Sequence, residues 1–163
     1  MRTNASTARA AAAPPQLRIR RVYRVSPDKV WRAWTDPRAL SRWFGPGAVD
    51  SVTSAELDVR VGGRYRIAFV PHDGSQHVAS GIYQEVVENR RLVFTWKRHG
   101  MPELESRVTV ELTAVPDGTQ LDFLHDNFPD VASRDDHQGG WLPTFAKLGT
   151  YFAASLTRYG DAR

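Results

Sequence analysis

The sequence predicts an α+β domain in which a run of antiparallel strands is closed by one long C-terminal helix. Three observations carry this. Between residues 49 and 128, short apolar alternations recur at hairpin spacing, divided by Gly, Pro, Asn and Asp. Ahead of them, two proline-led segments carry aromatic residues at helical spacing. Behind them, Trp141, Phe145, Leu148 and Phe152 form the apolar stripe of an amphipathic helix.

The segment "LRIRRVYRV" alternates, with Leu17, Ile19, Tyr23 and Val25 on one face and Arg18, Arg20 and Arg24 on the other, as in a half-buried strand. Arg21 interrupts the apolar face. Ser26-Pro27 then supplies a helix cap and a first-turn proline, and Val30, Trp31, Ala33 and Trp34 give a helical stripe. Asp36-Pro37 repeats the signal, so "PRALSRWF" is expected to form a second helix ended by Gly45-Pro46-Gly47. The strand signals that follow are "SAELDVRV", "RYRIAFV", "VASGIYQEVV", "RLVFTWK", "LESRVTVELTAV" and "TQLDFLHDNF". Gly62-Gly63 reads as a turn, not a phosphate loop, because no helix follows it. In "SRVTVELTA", Val108, Val110 and Leu112 face one way, with Ala114 expected to continue that face, and Arg107, Thr109, Glu111 and Thr113 face the other. Pro143 removes a hydrogen bond to the carbonyl of Gly139, which predicts a kink or a late helix start near Gly139-Gly140.

The chain has 163 residues, 41% of them hydrophobic, enough for one core and too few for two domains. Residues 1–15 are expected to be a disordered Ala- and Arg-rich tail, and 16–160 a single domain. Six of the 22 basic residues lie within the first 24 positions, which hold no acid, so the remainder carries 16 basic against 18 acidic groups, a net of −2. That distribution argues against a nucleic-acid groove. The chain has no cysteine, which excludes disulfides and thiolate metal sites and fits a cytoplasmic location, and no apolar run is long enough to span a bilayer.

Five segments taken together, "RVYRVSPDKVWRAWTDPRALSRWFGP", "DVRVGGRYRI", "GIYQEVVENRRLVFTW", "SRVTVELTAVPDGTQLDF" and "DDHQGGWLPTFAKL", resemble the family related to the C-terminal domain of the activator of the ninety-kilodalton heat-shock protein ATPase. That family lies within the START-like group, which includes polyketide cyclases and the birch-pollen-allergen fold. The match runs from about Ile19 to Phe152, and Pro143 departs from its pattern. The resemblance implies a helix-grip fold: a curved seven-stranded antiparallel sheet around a long C-terminal helix, two short helices after the first strand, and an internal cavity that takes small apolar molecules.

On this reading the protein binds a small apolar or amphipathic molecule without metal or organic cofactor. Trp31 and Trp34 are expected to pack, and Trp43 and Phe44 either to pack with them as a plug or to stand at the cavity mouth beside the Gly-Pro-Gly hinge. The inward strand positions Tyr65, Ile67, Phe69, Tyr83, Phe94 and Trp96 are expected to line the cavity. Val110, Phe123 and His125 should do so from the later strands, and Trp141 and Phe145 from the helix. Of the histidines His72, His77, His99, His125 and His137, none forms a metal pattern such as HExxH. His125 shares the inward face with Leu121 and Phe123, as a hydrogen-bonded core residue or a group that orients a ligand, and His137, which precedes Trp141 by one turn, is with Tyr83 and Trp96 a further polar-tipped candidate to converge there. Asp135-Asp136 are expected to favour the helix N-terminus. Two other functions stay open: a cyclase or dehydratase in which His125 and Tyr83 move protons, and a cochaperone-like module binding a chaperone or another protein. A homodimer is also left open.

Overall fold

A computed structural model of the chain describes residues 14–48, 50–71, 73–100 and 105–161, with side chains to residue 155. Residues 1–13 of the expected tail lie outside the described residues, as does His72. The elements follow the order β1 (Leu17–Tyr23), α1 (Pro27–Thr35), α2 (Pro37–Leu40), β2 (Val52–Leu57), β3 (Arg64–Phe69), β4 (His77–Val87), β5 (Arg91–Arg98), β6 (Ser106–Val115), β7 (Gly118–Asp126) and α3 (Val131–Asp161). The seven strands form one antiparallel sheet in the order β1-β7-β6-β5-β4-β3-β2, so β2 to β7 are a meander and β1 crosses over to pair with β7. This is the α+β helix-grip arrangement that the sequence predicts.

Each strand is apolar on the face that meets α3. Leu17, Ile19 and Tyr23 are buried on β1 while its arginines are exposed, and β7 buries Thr119, Leu121, Phe123 and His125 in strict alternation. On β6 the alternation ends early: Val108, Val110 and Leu112 are buried, but Ala114 is exposed, because by Ala114 the strand has passed the edge of the core. Gly81 shapes the middle of the sheet. A β-carbon there would lie 1.9 Å from the Thr95 carbonyl oxygen, so only glycine permits the close approach of β4 and β5. Around it the Tyr65 hydroxyl donates to the Thr95 carbonyl at 2.6 Å, and Ile82 N–H donates to Thr95 Oγ1 at 2.9 Å.

Two expectations about helices are corrected. The second helix ends at Leu40, not Phe44, because the chain tightens there: Arg42 and Trp43 N–H bond to the carbonyls of Ala39 and Leu40, three residues back. The late start is the second: the last helix begins eight residues before Gly139 and continues through Pro143. Its first turn is closed by Asp130, whose carboxylate accepts from Ser133 N–H at 2.8 Å, and so nucleates the helix well upstream of the proline. Asp135 and Asp136 consequently fall in its second turn, where they pair with Arg134 and Arg98.

Trp141, Phe145, Leu148 and Phe152 are all buried against the sheet. The two short helices close one end of the core with Val30, Ala33, Trp34, Leu40 and Trp43. Trp34 and Trp43 meet edge to face at 4.7 Å, and Trp43 Nε1 donates to the Ala33 carbonyl at 3.0 Å, which locks α1 to the turn after α2.

Candidate functional site

The space between helix and sheet is almost filled. Trp34, Phe44, Tyr65, Ile67, Tyr83, Leu92, Phe94 and Trp96 surround a void of only about 10 Å³, close to the room one water needs. The expected internal cavity is thus occupied by the chain's own rings. Trp34 Nε1 sits among them buried and has no hydrogen-bond partner among the described residues.

The larger space lies at the open end, between the first half of α3 and the β3–β5 side of the sheet. This cleft measures about 460 Å³, within the range of small-molecule sites. Its apolar wall is Phe44, Phe69, Trp96 and Trp141, with Pro46 and Pro71 beside them. Its polar rim is Asp73, His77, Arg98, Asp135, Asp136 and His137. The Gly45-Pro46-Gly47 hinge holds Phe44 in place: Gly45 has φ of 89°, and Phe44 packs edge to face on Phe69 at 5.5 Å and on Trp141 at 5.9 Å. Gly139 and Gly140 stand opposite. A β-carbon on Gly139 would meet nothing within 4 Å, and one on Gly140 only Pro46 Cγ at 3.9 Å.

Beneath the cleft runs a polar network through the core. Trp141 Nε1–H donates to His125 Nδ1 at 3.0 Å, which leaves the ring proton on Nε2, 2.7 Å from Ser106 Oγ. Trp96 Nε1–H donates to His137 Nε2 at 3.1 Å, which leaves the proton on Nδ1, 2.9 Å from the Ser133 carbonyl. The two imidazoles are therefore neutral and carry opposite tautomers, with ring centroids 5.1 Å apart. Burial, and then the neighbouring His137, push the His125 pKa well below its ordinary value. Burial also lowers His137, helped by Arg98 and opposed by its bond to Ser133 and by Asp136.

The residues singled out in the sequence divide among three places. Phe44, Phe69, Trp96 and Trp141 line the cleft. Tyr65, Ile67, Tyr83 and Phe94 line the small void, and burial raises the pKa of both tyrosines. Trp43, Val110, Phe123, His125 and Phe145 pack in the core and face neither space. Of the two alternatives, Trp43 thus packs as part of the plug, and Phe44 stands at the mouth. His125 and Tyr83 are not brought together: β5 and β6 lie between their strands, and both nitrogens of His125 are already engaged. Missed by sequence reasoning was the place of Gly139 and Gly140 in the cleft wall, whereas Trp96 and His137 do converge as expected, without Tyr83. A glycine pair inside a helical stripe was the available signal. Among the described residues no group of three or more His, Asp or Glu side chains is placed to hold a metal ion, and no helix is long and apolar enough to cross a membrane.

Similarity to known proteins fits this architecture. A solved protein of Chromobacterium violaceum is 28% identical, with 83% of this chain and 94% of that one covered and a TM-score of 0.72. The AHSA1 protein of Silicibacter pomeroyi is 26% identical, with coverage of 86% and 99% and a TM-score of 0.75. One from Mesorhizobium loti is 27% identical, with coverage of 86% and 98% and a TM-score of 0.69. No protein of curated function matches. The family model for activator of Hsp90 ATPase homolog 1-like proteins matches residues 24–153, most of the helix-grip domain, and the chain belongs to that family.

Proposed function

We propose that the protein binds a small amphipathic molecule in the cleft between α3 and the sheet, its apolar part against Phe44, Phe69, Trp96 and Trp141 and its polar end at the rim near His77 and Arg98. The observation that carries this reading is the Gly139-Gly140 pair. Each glycine inside a helix costs about 1 kcal/mol relative to alanine. Packing does not demand either one, since a β-carbon would fit at both positions. What the pair does provide is open volume above an aromatic wall. Fatty acids, polyketide-like phenols and isoprenoids have the matching chemistry, an apolar body with one polar end.

The test is a tryptophan-fluorescence and calorimetric titration with these three classes, since Trp96 and Trp141 stand in the cleft wall. Binding tighter than about 1 mM is expected for at least one class. Gly140→Leu should abolish that binding, because its side chain projects into the cleft, while the melting temperature holds or rises. Binding that survives Gly140→Leu, or no binding by any class, refutes the reading.

A further inference from the structure

A second concavity lies on the opposite side of the Phe44–Ala48 segment and shares no wall residue with the cleft. It is a groove of about 590 Å³ between the two short helices and the later turns of α3. Lys29 and Arg32 reach it from α1, Arg38 and Arg42 from α2 and the turn behind it, and Lys147 from α3, with Asp36 the one acid among its wall residues. The groove therefore holds a net of +4 within a domain, residues 16–160, that has 19 basic and 17 acidic side chains, a net of +2, so everything outside it sums to −2. Five cations gathered around one acid repel one another at a cost to the fold.

The individual contacts leave the charges of Arg38 and Arg42 uncompensated. Asp36 is taken by Arg32 at 3.3 Å and by the backbone of Arg38 at 3.0 Å. Arg38 and Arg42 are exposed and make no ion pair among the described residues. Lys147 is held on the groove wall by donating to the carbonyls of Phe44 at 3.4 Å and Ala48 at 3.2 Å, with the Asp50 carboxylate acting on it from nearby. Beside the cations the wall is apolar and hydroxylic: Ala39, Tyr151, Phe152, Thr150 and Ser155.

We infer that this groove binds a phosphate monoester carrying an apolar or aromatic group. A single carboxylate would offset only one of the two unpaired guanidinium charges, whereas a phosphate dianion with three acceptor oxygens suits the forked donors of Arg38 and Arg42 together with the Lys147 ammonium. The ester substituent would then lie along Tyr151 and Ala39. The chemistry is shared by a soluble aryl phosphate and by the headgroup of phosphatidic acid.

Calorimetric titration with phenyl phosphate, inorganic phosphate and phenol separates the contributions of charge and ring. Phenyl phosphate should bind more tightly than about 1 mM, more tightly than inorganic phosphate, and more weakly as salt is added, while phenol fails to bind. Arg38→Gln with Arg42→Gln should weaken it at least tenfold without lowering the melting temperature, and Gly140→Leu, in the other site, should leave it unchanged. Co-sedimentation with phosphatidylcholine vesicles containing phosphatidic acid, displaced by phenyl phosphate, would assign the headgroup as the source. Its absence alongside phenyl phosphate binding would assign a soluble ester. The inference is overturned if neither phosphate probe binds, if the double arginine variant binds as wild type does, or if Gly140→Leu removes the binding.

Discussion

Acidification should weaken this protein well above the pH at which carboxylates titrate, and His125 is the reason. Its imidazole is fully buried, its Nδ1 accepts from Trp141, and its Nε2–H donates to Ser106, so a proton added at Nδ1 would break the first bond and leave a charge without solvent. The sign follows from linkage. In the unfolded chain the ring takes up a proton as pH falls below its ordinary value of 6.5, while the folded state resists, so stability is full above 6.5 and is lost as pH falls. Between about pH 7 and about pH 5 a histidine kept neutral by folding loses about 2 kcal/mol of stability, a fall of about 4–8 °C in melting temperature for a chain of this size. Aspartates and glutamates, unfolded pKa about 4, contribute little in that window. The assay is thermal unfolding by circular dichroism across the window for wild type and His125→Gln. The variant starts lower, having lost buried hydrogen bonds, but should show a shallower slope, with the remainder from His137. Equal slopes in the two proteins, or a flat wild-type profile, would refute the argument.

Phe145→Ala should cost about 3–5 kcal/mol by chemical denaturation, since the ring is buried against Trp34, Phe123 and Trp141. Lys147→Ala, a neighbour on the same helix, should cost about 1 kcal/mol through its two carbonyl bonds. Comparable losses from the two would mean the helix is turned differently. Gly139→Ala should raise the melting temperature by about 2–4 °C, because the added methyl meets no other atom and the helix gains propensity.

The fold was legible where periodicity and punctuation agree. Alternation through Leu121, Phe123 and His125 places those three side chains inward, and the stripe from Trp141 to Phe152 assigns the helix face without reference to any other segment. Pro143 misled only the expected start of that helix, because a proline cost of about 3 kcal/mol is local, whereas the burial of Trp141, Phe145, Leu148 and Phe152 acts along several turns and is larger in sum. The site was less legible. Strand alternation says that Phe94 and Trp96 point inward alike, yet Trp96 reaches the cleft and Phe94 only the small void. The difference depends on where α3 and the Phe44 hinge end along the strand, and that is a property of tertiary packing. The basic groove is likewise assembled from residues more than 100 positions apart, Arg38 to Lys147 among them, which no local pattern joins.

The crossover of β1 sets an order of events during synthesis. Its register partner for Leu17 is His125, and Arg20 bonds Asp122 across 102 positions, whereas β2 to β7 pair as successive neighbours. At a ribosomal pace of about 5–20 residues per second, the strand made first waits on the order of 5–20 s for the strand that completes it. Throughout that interval Leu17, Ile19 and Tyr23 stand beside Arg18, Arg20, Arg21 and Arg24. Those arginines act as gatekeepers, keeping a nascent apolar strand from pairing with a neighbouring chain until β7 emerges.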